Sequence, residues 1–345
     1  MKVVVSCDAI VDRDYYLETV EAALDVIGEQ CELYTLVHNH GSIVGPVEAR
    51  KIHSSFLSHK VKTWRGLLKN SFLIPSAAKN LYISCSNDLI INISRGFSHG
   101  IKKCDKSKLI CFVVDDINNT ERQKAFKEKI FSLFVRSFQK KSFDQVDELW
   151  ASNKEFLPKS QQERARIFHP PVKLTDYKLL PDAMFNRDYI LINVESINLE
   201  KAKSIYSSLI QGSIKFKFIG KDDHLEELKN QDEQYFFGNR CGGEMAPLLA
   251  GCLYLVDFDR DIVPTWALKT MASGRPVFSF GNSFLEFQEG FFKASENILR
   301  EICATPDFDR NDLRGIALSF EELKFKHLIK KIIQQHSTSQ NVSAL

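Results

Sequence analysis

Short apolar runs alternate with stretches of helical periodicity along the first half of the chain. The segments "KVVVSC", "CELYTLV", "DLIINIS" and "KLICFVV" predict buried strands, and "YYLETVEAALDVIG" has apolar residues at helical spacing. A long helix is predicted over residues 121–142, with Ile130, Phe134 and Phe138 on one face. This alternation predicts a parallel sheet covered by helices on both faces.

The same alternation restarts after "HPPVKLTDYKLLPDAMFN", which contains turn-forming Pro and Asp, has no clear period and is interpreted as a linker. Strands are predicted at "YILINV", "KFKFIG", "YFFG", "LYLVDF" and "PVFSFG", and helices at "LEKAKSIYSSLI", "HLEELK", "EMAPLLAG" and "TWALKTMAS". Ser319 and Glu322 have the spacing of a capping box at the start of a final helix.

The predicted fold is α/β, with two Rossmann-like domains facing across a cleft. The N-terminal domain is expected over residues 1–172, a linker over 173–183 and the C-terminal domain over 184–318. A helix over 319–336 is expected to cross back to the N-terminal domain, and the tail 337–345 is expected to be disordered. Open parallel sheets bind ligands beyond the carboxyl ends of their strands, so a small ligand or a protein partner is expected in the cleft.

The composition is that of an ordinary soluble globular protein. Apolar residues make up 44% and charged residues 26% of 345 residues, and the net charge is 46 − 44 = +2. This balance gives no support to nucleic acid as a partner, and none is predicted. The apolar stretches are strand-length, and the start of the chain is interpreted as a buried strand rather than a signal peptide, so a cytoplasmic location is expected. The eight scattered cysteines form no C-x-x-C pair and are therefore expected to be reduced.

Several segments, weak alone but in a fairly specific order, resemble a known family. These are "AALDVIGEQCELYTLV", "NDLIINISRGFSHGI", "ELWASNKEF", "ARIFHPPVKLTDY", "KFKFIGK", "YFFGN" and "MASGRPVFSFG". Together they resemble the group 1 retaining, mannosyltransferase-like glycosyltransferases of the GT-B fold that build surface polysaccharides. The resemblance implies two Rossmann-like domains and, in an active member, a nucleotide-sugar donor. No cofactor and no metal are predicted for this chain. Fold does not by itself imply function.

The position implied to hold the diphosphate has the wrong charge. In the family an Arg, and a Lys five residues later, follow the first strand of the second domain. Here Glu195 falls on the first position and Glu200 on the second, and Lys201 is one step off. A carboxylate against a diphosphate is unfavourable when desolvated. The preferred interpretation is that Glu195 and Glu200 stabilise the N-terminus of a helix and bind no ligand.

The paired acids of the family are altered in "DIVPTWALKTMASGRPV". They would lie eight positions apart, where this chain has Asp261 and Lys269. A lysine cannot accept hydrogen bonds from ribose hydroxyls, although it could hold a phosphate. Pro264 and Trp266 also add bulk to a turn that is small in the family.

The glycine-rich turns implied by the resemblance are also replaced. Tyr15 and Tyr16 fill the first strand-to-helix turn, and a later loop keeps Gly281 but has Ser283 and Phe284 beside it. The segment "DDINNTE" lacks the family's His or Pro-Arg.

Four altered site elements among readable scaffold motifs predict a degenerate glycosyltransferase that acts by binding a partner or ligand. The alternative is an active nucleotide-sugar-dependent transferase of surface polysaccharide synthesis with a rearranged donor site. The candidate donor-binding residues are Gly220, Lys221, Arg240, Lys201, Lys269 and Gly281.

Two further features have weaker support. The "HNH" at His38–His40 could bind a metal, but without a nearby acid in sequence a surface loop is the preferred interpretation, as packing is for His169. The stretch 50–73 contains Arg50, Lys51, Lys60, Lys62, Arg65 and Lys69 without an acid. It predicts either peripheral contact with the inner face of a membrane or a solvated basic helix.

Overall fold

The computed structural model describes residues 1–43, 45–116, 137–181, 188–238, 242–258, 263–280, 288–293 and 308–342, with the backbone alone for 242 and 338–342. The chain forms two compact units. The first comprises Met1–Pro171 with Glu322–Leu345, and the second comprises Val172–Glu321. Most of the helix predicted over 121–142 lies outside the described residues, and its last part, 137–142, is helical.

The described strands are β1 (Val3–Ile10), β2 (Leu33–His38), β3 (Ile52–Ser54), β4 (Tyr82–Ile83), β5 (Leu89–Ser94), β6 (Lys102–Lys103), β7 (Lys108–Val113), β8 (Glu148–Ala151), β9 (Arg166–Ile167), β10 (Tyr189–Asn193), β11 (Lys215–Ile219), β12 (Leu255–Asp257), β13 (Val277–Ser279) and β14 (Phe291–Lys293). The described helices are α1 (Tyr15–Ile27), α2 (Trp64–Lys69), α3 (Ile74–Asn80), α4 (Leu199–Gln211), α5 (Glu226–Gln231), α6 (Gly242–Gly251), α7 (Thr265–Ala272), α8 (Arg310–Leu318) and α9 (Glu322–Val342).

The first unit is built on a seven-stranded sheet in the order β3-β2-β1-β5-β7-β8-β9. Its strands pair in parallel, as the alternation predicts. Helix α1 begins where the Asp14 carboxylate accepts a hydrogen bond from the Leu17 amide at 3.0 Å. Its apolar side joins a core cluster with Phe325 and Ile329 of α9, while Leu67 and Ile74 of the short helices belong to a second cluster.

The final helix belongs to the first unit, which confirms that it returns there. It begins at Glu322 and continues to Val342, beyond residue 336 where the sequence predicts a tail. Ser319 does not cap it as predicted. This residue ends α8, and its hydroxyl donates to the Ile316 carbonyl at 2.6 Å.

The second unit contains a five-stranded parallel sheet in the order β11-β10-β12-β13-β14. The strand predicted at "YFFG" is reduced to a single β-bridge between Phe218 and Phe236. The aromatic ring of Phe236 packs against Phe218, and the segment thus contributes to the core without extending the sheet.

The cysteines are not all reduced. Cys85 and Cys104 form a disulfide that links the ends of β4 and β6, whereas Cys7, Cys31, Cys111 and Cys252 are free and buried. The two bonded residues are 19 positions apart and meet only because β4 and β6 pair. No described helix has the length and apolar character needed to cross a lipid bilayer.

Candidate functional site

In the second unit the order in which the chain forms neighbouring strands reverses at strand β10. The chain goes from β10 to β11 on one side of the sheet and then returns to β12 on the other side. In open parallel sheets a ligand binds beyond the carboxyl ends of two such diverging strands. The residues that follow β10, β11 and β12 therefore define the candidate site of this unit.

The floor of this site is a buried polar pair at the ends of β10 and β12. The Asn193 side-chain amide donates to the Asp257 carboxylate at 2.9 Å, and both residues are at most 1% exposed. The Asn193 amide oxygen in turn accepts a hydrogen bond from the Glu195 backbone N–H at 3.1 Å. Buried polar groups that bond one another in this way hold the backbone after β10 in a defined conformation.

Glu195 lies directly above this floor. Its carboxylate accepts a hydrogen bond from the backbone N–H of Lys221, at 3.3 Å, where the chain leaves β11. A backbone N–H beyond a strand end is the kind of donor that binds phosphate oxygens. In this protein that donor already has an anionic partner from the chain itself.

Gly220 makes room for this carboxylate. It has a φ of +95°, and a Cβ atom there would lie 2.6 Å from Cγ of Glu195 and 2.7 Å from Oδ1 of Asn193. A residue with a side chain could not occupy this position without displacing them. The glycine that the sequence suggests as a ligand contact is thus required by the protein's own side chains.

Lys201 lies over two stacked aromatic rings at the same edge. Phe258 and Phe280 follow β12 and β13, with ring centroids 4.3 Å apart. The Lys201 ammonium is 5.0 Å from the first centroid and 4.4 Å from the second. This cation–π arrangement places an exposed positive charge at the strand ends, so Lys201 is the described cation best placed to meet an anion there.

The other predicted residues have no described contact with Glu195 or Lys201 through their side chains. Glu200 is exposed in the first turn of α4, and Lys269 lies on α7 with its ammonium 5.6 and 5.8 Å from the rings of Tyr177 and Trp266. The Lys221 side chain is exposed. Three further predicted residues, Arg240, Asp261 and Gly281, lie outside the described residues, as do Ser283 and Phe284.

The first unit has an equivalent switch point between β1 and β5. Asp8 of β1 is fully buried, and its carboxylate accepts hydrogen bonds from the backbone N–H groups of Arg95, Phe97 and Ser98 at 2.6–3.3 Å. Burial nevertheless raises the pKa of this carboxyl to about 6, against the effect of these donors. The loop after β5, where a ligand phosphate would be expected, is therefore fastened to the protein's own carboxylate.

Arg95 fills the space above Asp8. Its guanidinium donates to the Asp115 carboxylate at 3.0 Å and pairs with Asp14 at 2.9 Å. It also lies 4.4–5.0 Å from the ring centroids of Tyr15, Tyr16 and Trp64. The Arg95 side chain is 8% exposed and that of Asp115 is 2% exposed. We call Arg95, Asp14, Asp115, Tyr15, Tyr16 and Trp64 the Arg95 cluster.

The two tyrosines of the first turn belong to this cluster. Tyr16 is fully buried, and its hydroxyl donates to the Ile93 carbonyl at 2.7 Å and accepts the Asp8 N–H at 2.6 Å. The Tyr15 hydroxyl donates to the Asp115 carboxylate. Burial raises the pKa of Asp115, and the Arg95 charge opposes this rise. Ring and guanidinium atoms therefore occupy the switch point of this unit.

Sequence reasoning missed Arg95, Asp115 and Trp64. Arg95 and Asp115 each come directly after a predicted strand, and this position beyond a strand end was the signal that could have identified them as site residues. It was not sufficient, because the partners of Arg95 lie 20 to 81 positions away in the sequence. His169, for which packing is predicted, is partly buried, and this burial lowers its pKa.

No protein-family model matches the chain, and no curated protein matches it either. Solved structures do. HepE from Anabaena in complex with UDP is 11% identical, with a TM-score of 0.64 over 97% of this chain and 100% of HepE. The lipopolysaccharide outer core galactosyltransferase WaaB, in its apo form, is 12% identical, with a TM-score of 0.59 over 99% of this chain and 100% of WaaB.

A UDP-GlcNAc 2-epimerase from Methanocaldococcus jannaschii also matches, at 9% identity and a TM-score of 0.54, over 97% of this chain and 100% of the epimerase. An epimerase among the matches indicates that this architecture is not confined to transferases. At such low identities the likeness shows the fold alone. The chain has the GT-B fold, with two Rossmann-like units.

Proposed function

We propose that the protein is a degenerate glycosyltransferase-like module that binds a partner or ligand and does not use a nucleotide-sugar donor in the manner of the family it resembles. The observation that carries the proposal is the Glu195 carboxylate, which accepts the Lys221 N–H at the carboxyl end of the sheet. The resemblance implies a diphosphate-binding arginine at this position.

The size of the electrostatic repulsion between Glu195 and a diphosphate supports the proposal. A carboxylate and one phosphate charge about 4 Å apart repel by about 4 kcal/mol at an effective dielectric constant of ~20. This corresponds to roughly a thousandfold in Kd. Lys201 offers a compensating cation, but its ammonium already interacts with Phe258 and Phe280.

The occupied switch point of the first unit is a second, independent support. Arg95 and its aromatic neighbours lie where a substrate would approach the backbone of the first strand-to-helix turn. The guanidinium is held by two carboxylates and would have to leave both of them to admit a ligand. Such a buried pair is costly to break from one side.

Calorimetric titration with UDP, GDP and UDP-glucose tests the proposal, because the HepE structures hold UDP and UDP-glucose. We expect no binding tighter than about 1 mM and no hydrolysis or transfer. Turnover of the donor would establish the active alternative. Binding of any of these ligands below about 100 µM that is weakened by Lys201→Ala would refute the loss of the donor site.

The Glu195→Arg variant tests the physical cause. If the carboxylate repels a diphosphate, this variant should bind UDP or GDP at least 100-fold more tightly than wild type. Glu233→Arg is a matched control, because Glu233 is an exposed acid in the same unit. It precedes Phe236, which pairs with Phe218 inside β11, so Glu233 does not follow the carboxyl end of that strand. A folded Glu195→Arg variant that binds no better than wild type refutes the role given to Glu195.

We also propose that the surface over residues 50–73 makes peripheral contact with an anionic membrane. Lys60, Lys62, Arg65 and Lys69 are exposed there, and the rings of two exposed residues, Phe56 (37%) and Phe72 (48%), accompany them. The two remaining basic residues of the stretch have other partners, and its other large apolar residues are packed in or against the core. Arg50 donates to the carbonyls of Gly28 and Leu24, Lys51 pairs with Glu32, and Trp64 and Leu67 pack inward.

Vesicle co-sedimentation tests this contact with phosphatidylserine-containing and with neutral vesicles. Each lysine near an anionic surface contributes about 1 kcal/mol, so Lys60→Gln with Lys62→Gln should weaken binding roughly 30-fold. The control replaces Lys330 and Lys331, two exposed lysines of α9, by glutamine. Equal binding to neutral vesicles, or equal weakening by the control, contradicts the proposal.

A further inference from the structure

Three potential metal ligands meet at the carboxyl end of strand β2. His38 is the last residue of this strand and pairs in register with Ile10 at the end of β1. His40 follows two positions later, and Glu48 returns to both imidazoles after the intervening loop. Among the described residues this is the group of three such side chains whose donor atoms all lie within 4.8 Å of one another.

The Glu48 carboxylate faces one imidazole with each of its oxygens. Its Oε1 is 2.8 Å from Nε2 of His38, and its Oε2 is 3.3 Å from Nδ1 of His40. The bond lengths of zinc to nitrogen and oxygen, near 2.0–2.2 Å, imply donor separations of about 3.3 Å in a tetrahedral site. The separation at His40 has this value, whereas the separation at His38 is the shorter length of a hydrogen bond. The imidazole of His38 and the carboxylate must therefore move apart slightly to admit a metal.

The backbone holds two of the three ligands in place. The His38 amide donates to the Ser58 hydroxyl at 2.9 Å, and the Glu48 amide donates to the Gly45 carbonyl at 3.1 Å beside fully buried Val47. The side chains of His38 and Glu48 are 12% and 18% exposed, whereas that of His40 is 88% exposed. A preformed pair with an adjustable third ligand can enclose an ion arriving from solvent.

The donor set selects the class of metal. Two imidazole nitrogens and one carboxylate oxygen suit borderline transition metals, whereas Mg²⁺ and Ca²⁺ prefer oxygen ligands throughout. Three protein ligands leave a coordination position for water or an anion, as in open zinc sites. We propose that His38, His40 and Glu48 bind Zn²⁺ with at least one such position open. This site shares no residue with the proposed donor site and is tested independently of it.

Co²⁺ and Zn²⁺ titrations of the chelator-treated protein test the site. We expect one equivalent of Co²⁺ to produce visible d–d absorption, and Zn²⁺ to displace it. His40→Gln is the decisive variant, because its exposed side chain has little part in the fold, and it should weaken binding at least tenfold. Glu48→Gln should do the same.

His53→Gln is the matched control. His53, on the neighbouring strand β3, also contacts a carboxylate, with its Nε2 2.8 Å from Oε2 of Glu32, but in the part of the chain that the structure describes no second imidazole joins this pair. It should leave the Co²⁺ spectrum and affinity unchanged. The proposal is overturned if wild type shows no binding below about 1 mM, or if His40→Gln binds the same number of ions with the same affinity.

Discussion

Replacement of Arg95 by methionine should destabilise the first unit severely. Methionine fills much of the volume of the arginine stem but leaves Asp115 without its cation in a site where the Asp115 side chain is only 2% exposed. Removal of one partner of a buried ion pair typically costs about 3–5 kcal/mol. The lost contacts with Tyr15, Tyr16 and Trp64 act in the same direction, at about 0.5–2 kcal/mol each. We therefore expect a loss of at least about 3 kcal/mol.

A double-mutant cycle separates the charge from the packing. Asp115→Asn removes the buried carboxylate, and the amide oxygen that replaces it can still accept from the Tyr15 hydroxyl. The double variant should be more stable than the sum of the single changes implies, with a coupling energy of about 1–3 kcal/mol. Asp14, the second partner, has a side chain that is 26% exposed and can be hydrated when the arginine is gone.

Urea unfolding followed by tryptophan fluorescence measures these energies. A Trp266→Phe background leaves Trp64 and Trp150, both in the first unit, as the reporters. Trp64 is a local reporter, since its ring centroid lies 4.4 Å from the guanidinium. A cost below about 1 kcal/mol for Arg95→Met, or strictly additive single changes, would show that the cluster is not a coupled buried network and would remove one support of the proposed function.

Three further predictions concern stability. Burial lowers the pKa of His99 from 6.5 to about 4, so the unfolded chain binds more protons between these values and stability falls as pH falls. Relative to His99→Gln, wild type should lose about 2–3 kcal/mol between pH 7.5 and 4.5 in urea titrations, and a constant difference would contradict this. Gly28→Ala should lower the free energy of unfolding by about 1–2 kcal/mol, because Gly28 has a φ of +102° and open space around it. Gly220→Ala should cost more, because its Cβ would also clash with Glu195 and Asn193. Equal shifts in melting temperature would refute the clash. Joint replacement of Cys85 and Cys104 by serine should lower the free energy of unfolding by about 3 kcal/mol in oxidising buffer and leave it unchanged in reducing buffer. An equal loss in both buffers would show that the disulfide does not stabilise the fold.

The regular elements could be predicted because their apolar periods are local. Residues 3–10 and 15–27 form the predicted first strand and helix, since alternation from one element to the next is visible in the sequence itself. The prediction of a strand at "YFFG" was wrong because it also rested on local information alone. Its aromatic residues are buried through Phe236, but burial alone does not tell a strand from a segment that makes one bridge.

The candidate sites could be predicted only in part, because they are assembled from distant positions. Glu195 was identified because it falls on the arginine position of the family that the chain resembles, yet its contact with the Lys221 amide depends on the pairing of β10 with β11. The meeting of His38 and His40 with Glu48 depends on the path of a loop that has no periodicity. Sequence separation alone cannot indicate such contacts, since loop closure is decided by the packing of the whole unit.

The survival of "MASGRPV" beside an altered site follows from burial and does not require catalysis. Met271 and Ala272 are fully buried, and Gly274 has a φ of +73° with the Leu179 side chain 2.5 Å from where its Cβ would be. The Arg275 side chain, 5% exposed, donates to the Ala250 carbonyl at 2.8 Å. Substitutions at such positions cost stability whatever the protein does. Glu200, Lys201 and Lys221 are exposed and can change at little cost to the fold. The readable motif therefore reflects the packing of the second unit and gives no evidence on whether a donor is bound.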